Sequence, residues 1–342
     1  MAVDTSRWGI LYCPRKSNGG SRKHREKLEG VLASRKVEYD IVQSESTESV
    51  ERLVRMLVNN GYKTIVIVGG DTALNDAVNC LMQISLEERN GISLGVIPNG
   101  VLNDFAKFWE LKDSDIEGAV DAIVKHRIRT VDLGCIRYVN KNGEDCHRYF
   151  LNCVNVGLIA DIMNLRRQTH RLLGSRTLSF IVSALLMLFH RMEYKMSIKI
   201  NSESIQRKLM NVCIGSGPGY GQTPNAVPYN GLVDVSIVSH TEITQLFHGL
   251  WLLFTGRFLN HRNVLPFRTG KVEFESAAHA LIGIDGRMLG SVHGAFTITV
   301  EREVVNFRIP ELLIDFVDCW LHLSIARASS ALHSVCAAIL NF

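Results

Sequence analysis

Up to about residue 130 the chain alternates short apolar runs with segments whose apolar positions recur at helical spacing. Trp8–Tyr12, Glu38–Gln43, Thr64–Val68 and Ile92–Ile97 read as strands. The β-branched run Ile65-Val66-Ile67-Val68 has the continuous apolar character of a strand covered on both faces. Between them, Ser21–Ser34, Ser44–Asn60, Asn75–Met82 and Asp115–Lys125 read as helices. Val50, Leu53, Val54 and Leu57 share one face, and Ala77, Val78 and Leu81 point inward. This βαβ alternation implies parallel strands joined by right-handed crossovers, hence a doubly wound α/β domain over 1–130.

Beyond Arg129 the rhythm changes to strand after strand: Val131–Val139, Tyr149–Val156, Lys195–Ile200, Lys208–Gly215, Leu232–Val238, Gly270–Glu275, Leu281–Asp285 and Phe296–Val300. An antiparallel β-sandwich domain over 131–310 is the expected architecture. Helices over Arg176–His190 and Ile243–Arg257 interrupt it. Leu178–Phe189 is too short to span a bilayer and reads as a buried or interfacial helix. The remaining 311–342 forms an amphipathic helical tail with Glu311, Asp315, Asp318, His322 and His333 on one stripe. It packs on its own domain or, through Trp320 and the apolar Ala331–Phe342 end, anchors at a membrane surface.

The stretch Thr64–Asn75, TIVIVGGDTALN, carries the first candidate chemistry. A buried strand runs into Gly69-Gly70, which permit close backbone approach, then into Asp71 at the carboxyl end where open α/β sheets place ligands. The following amides open a helix whose N-terminus favours anions. The alternative is an ordinary strand-to-helix turn with Asp71 as N-cap. Ile92–Phe105, ISLGVIPNGVLNDF, repeats the design, so two such crests could face one crevice.

The 342 residues exceed what a single core supports. A mean hydropathy of +0.08 leans toward a membrane-surface protein. The net charge of +4 is dispersed, apart from Arg15–Lys27 and Arg166–Arg176, which argues against nucleic acid and for phosphate or anionic lipid. Eight cysteines show neither zinc spacing nor a disulfide framework, and Met1–Cys13 lacks a secretory pattern. A reducing, cytoplasmic compartment is expected, with peripheral contact at the inner face of the membrane. A homodimer is left open.

GGDTALND and IPNGVLNDFAKFWEL resemble the two signature loops of the diacylglycerol kinase and sphingosine kinase superfamily of bacterial lipid kinases, which usually read GGDGTxNE and PxGTxNDFA. Cys13-Pro14 to Gly20 is similar to its NPxxG segment, with Cys13 for Asn. Further matches follow in order: Thr130–Gly134; Phe150-Leu151-Asn152 with Gly157; the glycine-rich Asn211–Val235; Ile284-Asp285-Gly286-Arg287 at the family's DGE; and Phe307–Pro310. The resemblance implies transfer of the ATP γ-phosphoryl group to a lipid hydroxyl with Mg²⁺. It assigns Gly69, Gly70, Asp71, Thr72, Ala73, Asn75, Gly100 and Asn103 to nucleotide, Asp71, Asp285 and Arg287 to catalysis, and Asp71 and Asp234 to metal.

The pattern breaks where the chemistry should be. Thr72-Ala73 replaces Gly-Thr, Val101-Leu102 replaces another Thr and its small neighbour, and Asn230 replaces an Asp. Arg287 occupies the position of the expected general base, and a guanidinium cannot accept a proton. A divergent lipid kinase on diacylglycerol or a sphingoid-type lipid is expected. The alternatives are a catalytically impaired nucleotide- or lipid-binding module and a metabolite kinase of the nicotinamide-nucleotide type.

Overall fold

The computed structural model describes residues 7–14, 20–100, 103–113, 115–125, 127–173, 193–239, 242–292 and 294–310. The loop 15–19, Val101-Leu102, the helix expected over 176–190 and the tail 311–342 lie outside them. The described chain forms two compact units. The first comprises residues up to Asp132 together with 302–310, and the second runs from Leu133 to Glu301. Residues 302–310 thus count with the first unit although they follow the second in sequence.

In the first unit β1 (Trp8–Tyr12), β2 (Tyr39–Gln43), β3 (Thr64–Gly69) and β4 (Ser93–Pro98) are parallel in the order β2-β1-β3-β4. Asn306–Arg308, the end of β15 (Phe296–Arg308), adds a parallel edge beside β4. Every residue of β3 and β4 is buried, as their unbroken apolar character requires. The helices are α1 (Gly20–Ser34), α2 (Val50–Asn59), α3 (Asp71–Leu81), α4 (Leu86–Asn90), α5 (Asp104–Phe108) and α6 (Ile116–Val124). Asp115 caps α6 by accepting from Gly118 N at 2.8 Å. The strand order reverses between β1 and β3, so their carboxyl ends flank a topological switch point.

The second unit is built from the part of β5 (Ile128–Val139) that follows Asp132, β6 (Asp145–Phe150), β7 (Cys153–Gly157), β8 (Tyr194–Ile200), β9 (Glu203–Gly215), β10 (Val233–Ser239), β11 (Val264–Thr269), β12 (Lys271–Ala277), β13 (Leu281–Ile284), β14 (Arg287–Ser291) and the first part of β15. Its helices are α7 (Leu158–Leu173) and α8 (Ile243–Phe254). Among the described residues its strand pairs are antiparallel. The long β9 serves two partner sets, meeting β8 through Glu203–Leu209 and then β7 and β10 through Asn211–Gly215. Tyr194, Met196, Ile198 and Ile200 of β8 alternate with less buried residues and point into an apolar core shared with Val212, Ile214, Val235, Phe274 and Ile298.

Tyr149–Val156, read from sequence as one strand, is two: β6 ends at Phe150 and β7 begins at Cys153. The break occurs because the amides of Leu151 and Asn152 turn aside to a carboxylate. β11 and β14 carry no strong strand pattern of their own and are held by their antiparallel partners β10 and β13.

Candidate functional site

The two glycine crests of the first unit meet. A methyl group built on Gly100 would lie 2.4 Å from Gly70 Cα and 2.5 Å from Asn103 Oδ1, so the turns touch backbone to backbone and no larger residue fits. Asn99 N donates to Gly69 O at 2.9 Å and Asn99 Nδ2 to Cys13 O at 3.1 Å, tying the carboxyl ends of β1, β3 and β4 together. Asn103, in the left-handed region at φ 51°, accepts from Gly100 N at 2.9 Å and donates to Gly100 O and to Asp113. Among residues with a Cβ, asparagine tolerates that backbone best.

Asp71 is the first residue of α3, whose N-cap is Gly70, so the N-cap reading of Asp71 does not hold. Its carboxylate instead accepts from Asp104 N at 2.8 Å and Phe105 N at 3.2 Å, the first amides of α5. One acidic side chain therefore binds the second crest to the first. The amides of Asp71, Thr72 and Ala73 precede the first intrahelical bond, which Leu74 makes to Gly70 O. Asn75 is fully buried and accepts from Asn79 Nδ2, so it braces α3 from inside. The hollow beneath the turns, lined in part by Gly69, Gly70, Asp71 and Asn103, holds about 10 Å³. That is the threshold for one water, so any polyphosphate must lie over the outer face of the turns.

In the second unit Asp285 and Gly286 have φ of 42° and 84° and form the two-residue turn between β13 and β14, where Ile284 pairs with Arg287. The Asp285 carboxylate, 3% exposed, accepts from Leu151 N at 2.7 Å, Asn152 N at 3.1 Å and Cys153 N at 2.8 Å. Arg287, half-buried, follows directly on this anchored turn. Asp234 lies level with it along the sheet, through Asp234↔Gly215 and Gly215↔Cys153. Both Asp234 oxygens pair with Arg268, Nε to Oδ1 at 2.6 Å and the terminal nitrogen to Oδ2 at 2.9 Å. A bidentate guanidinium thus balances the carboxylate that the resemblance links to a structural metal. Among the described residues no group of three or more His, Cys, Asp or Glu is arranged to hold a metal ion.

Residues 7–136 match the family model described as the diacylglycerol kinase catalytic domain, and 152–305 match that of the YegS C-terminal NAD kinase beta sandwich-like domain. The chain belongs to the bacterial diacylglycerol kinase/YegS lipid kinase superfamily. It is 24% identical over 267 residues to a diacylglycerol kinase of Staphylococcus haemolyticus, covering 77% of this chain and 74% of the relative. It is 23% identical over 306 residues to one of Staphylococcus aureus strain MRSA252, covering 87% and 91%. A crystal structure of a diacylglycerol kinase from Bacillus anthracis superposes with a TM-score of 0.62 at 15% identity, over 91% of this chain and 98% of that one, which shows a common fold.

Sequence reasoning missed the bracing residues of the superfamily site here. Asn99, the α5 amides and Arg268 act through long-range contacts that no local spacing announces. Asn103 was expected to meet nucleotide and was not read as the left-handed clamp of its own turn; asparagine between a glycine turn and a short helix was the available signal.

Proposed function

We propose that this chain is an ATP-dependent lipid kinase that transfers the γ-phosphoryl group to a hydroxyl of diacylglycerol or a sphingoid-type lipid. The observation that carries this reading is the backbone contact of Gly70 with Gly100, locked by the Asp71 carboxylate on the amides of Asp104 and Phe105. Two adjoining turns rich in amides suit a polyphosphate lying across them. Mg²⁺ takes one or two carboxylates and completes its shell with phosphates and water. Asp71 supplies a carboxylate of that kind, half-buried at the crest beside the amides of Asp104 and Phe105. Asp234 does not, because Arg268 spans both of its oxygens. Bound metal would neutralise charge on the transferring group.

Phosphoryl transfer relies chiefly on positioning and electrostatics, so a dedicated glutamate base is dispensable. In this reading Asp71 serves the phosphates at the crest of the first unit, and in the second unit Asp285 positions Arg287 through its turn. The second reading, a nucleotide- or lipid-binding module with little turnover, is favoured by the three amides that already occupy Asp285. Radiolabelled ATP, Mg²⁺ and mixed micelles of diacylglycerol, sphingoid base or ceramide decide between them. The kinase labels one lipid class, whereas retained ATP binding without labelled lipid supports the module. Arg287→Glu should lower turnover if the arginine stabilises charge; a rise would mean that a missing base limits the reaction.

A further inference from the structure

From Ile243 to Val272 the chain has 30 residues without an aspartate or glutamate, while carrying Arg257, Arg262, Arg268 and Lys271. Arg268 is neutralised by Asp234 and Lys271 pairs with Glu273, whereas Arg257 and Arg262 are exposed. The same stretch holds Trp251, 65% exposed on α8, and Leu265, 37% exposed on β11, two of the five exposed large apolar side chains among the described residues. His248, one turn before Trp251, is also exposed, whereas Leu252 beside it is buried, so α8 presents one stripe outward. The same helix is fastened beside this stripe, where His248 lies against His261 with ring centroids 5.6 Å apart. Gln245 O meets His261 Nε2 at 3.1 Å, and Asn263 Nδ2 donates to Gln245 Oε1 at 2.9 Å, which holds α8 against the turn that carries Arg262 and leads to Leu265.

We propose that α8 and the start of β11 form a docking surface for an anionic phospholipid bilayer, with Trp251 entering the headgroup region and Arg257 and Arg262 meeting lipid phosphates. An indole fits this boundary because its ring is apolar and its N–H can stay hydrated. Exposed arginines in a segment free of acidic side chains supply charge of the sign that anionic lipid attracts. This surface belongs to the second unit, and its occupancy does not depend on turnover.

The test uses the full chain with vesicles of phosphatidylcholine alone and with 30% phosphatidylglycerol. Wild type should sediment with the anionic vesicles, and added salt should weaken the association. Trp251→Ala should weaken it about tenfold, and Arg257→Gln and Arg262→Gln about fivefold each. Other segments could also hold the chain on vesicles, so a site-specific readout is needed. Trp320→Phe leaves Trp251 beside the buried Trp8 and Trp109. Brominated lipid should quench this variant and should lose that quenching when Trp251→Phe is added. Unchanged vesicle binding by all three single variants, or unchanged quenching in the double variant, overturns the proposal. So does light scattering in which Trp251→Ala dissociates a dimer without changing vesicle binding.

Discussion

Asp71 and Asp285 are both strand-end carboxylates held by backbone amides, and they differ in what that holding accomplishes. Asp71 is half-buried and grips the first amides of a separate helix, α5, so its bonds join two turns rich in amides. Asp285 is 3% exposed and takes three successive amides between β6 and β7, so its bonds shape a hairpin that presents the next side chain. The same interaction serves an open crest in one unit and a closed core in the other. Sequence alone gave both residues a catalytic role; the function proposed above gives ligand contact to the half-buried carboxylate and positioning to the buried one.

That division predicts opposite responses to mutation. Asp285→Ala leaves three buried N–H groups unsatisfied and should destabilise the chain by about 3–5 kcal/mol, measured by denaturant unfolding. Asp285→Asn should recover part of that loss. Asp71→Asn should instead cost about 10²–10³-fold in turnover, roughly 3–4 kcal/mol, with about 1 kcal/mol lost in stability. If Asp285→Asn unfolds normally while turnover disappears, the two roles are the reverse of those assigned here. Gly100→Ala tests the crest without touching a carboxylate. Its methyl meets Gly70 Cα at 2.4 Å, so the turns must part, at about 1–3 kcal/mol in stability and a weakened nucleotide affinity read by calorimetry.

The alternation of β3 and β4 with their helices was legible because a strand covered on both faces must be apolar throughout, and Ile65–Val68 is. The antiparallel unit was legible at β8, where YKMSIKI alternates, and less so at β15, read as Phe296–Val300 but running to Arg308. Its extension is polar in places and is held by pairing with β4, a parallel contact with residues some 200 positions earlier. The crest residues were legible because Gly, Asn and Asp carry local backbone signals. The partners of Asp71, Asp234 and Asp285 were not, since backbone amides have no residue identity and Arg268 meets Asp234 only through the β10–β11 register.

Asp161 sharpens the comparison, with the smallest expected effect. It is a buried carboxylate on α7 whose bond is to the Tyr194 hydroxyl, in contrast to the amide-held pair. Burial pushes its pKa above the ordinary 3.8, against the opposing pull of the Tyr194 bond, because desolvation penalises the charged form. The folded chain therefore holds this proton more tightly than the unfolded chain. Its contribution to stability is fully present below pH 3.8 and is lost as pH rises through the elevated native value. Asp161→Asn keeps an acceptor for Tyr194 but has no charge to desolvate, so it should flatten that part of the stability profile. Unfolding midpoints followed upward from pH 4 should fall in wild type relative to the variant. Parallel profiles would mean that the hydroxyl bond alone compensates burial, and that one good donor serves a carboxylate here as well as the amides of Asp71 and Asp285 serve theirs.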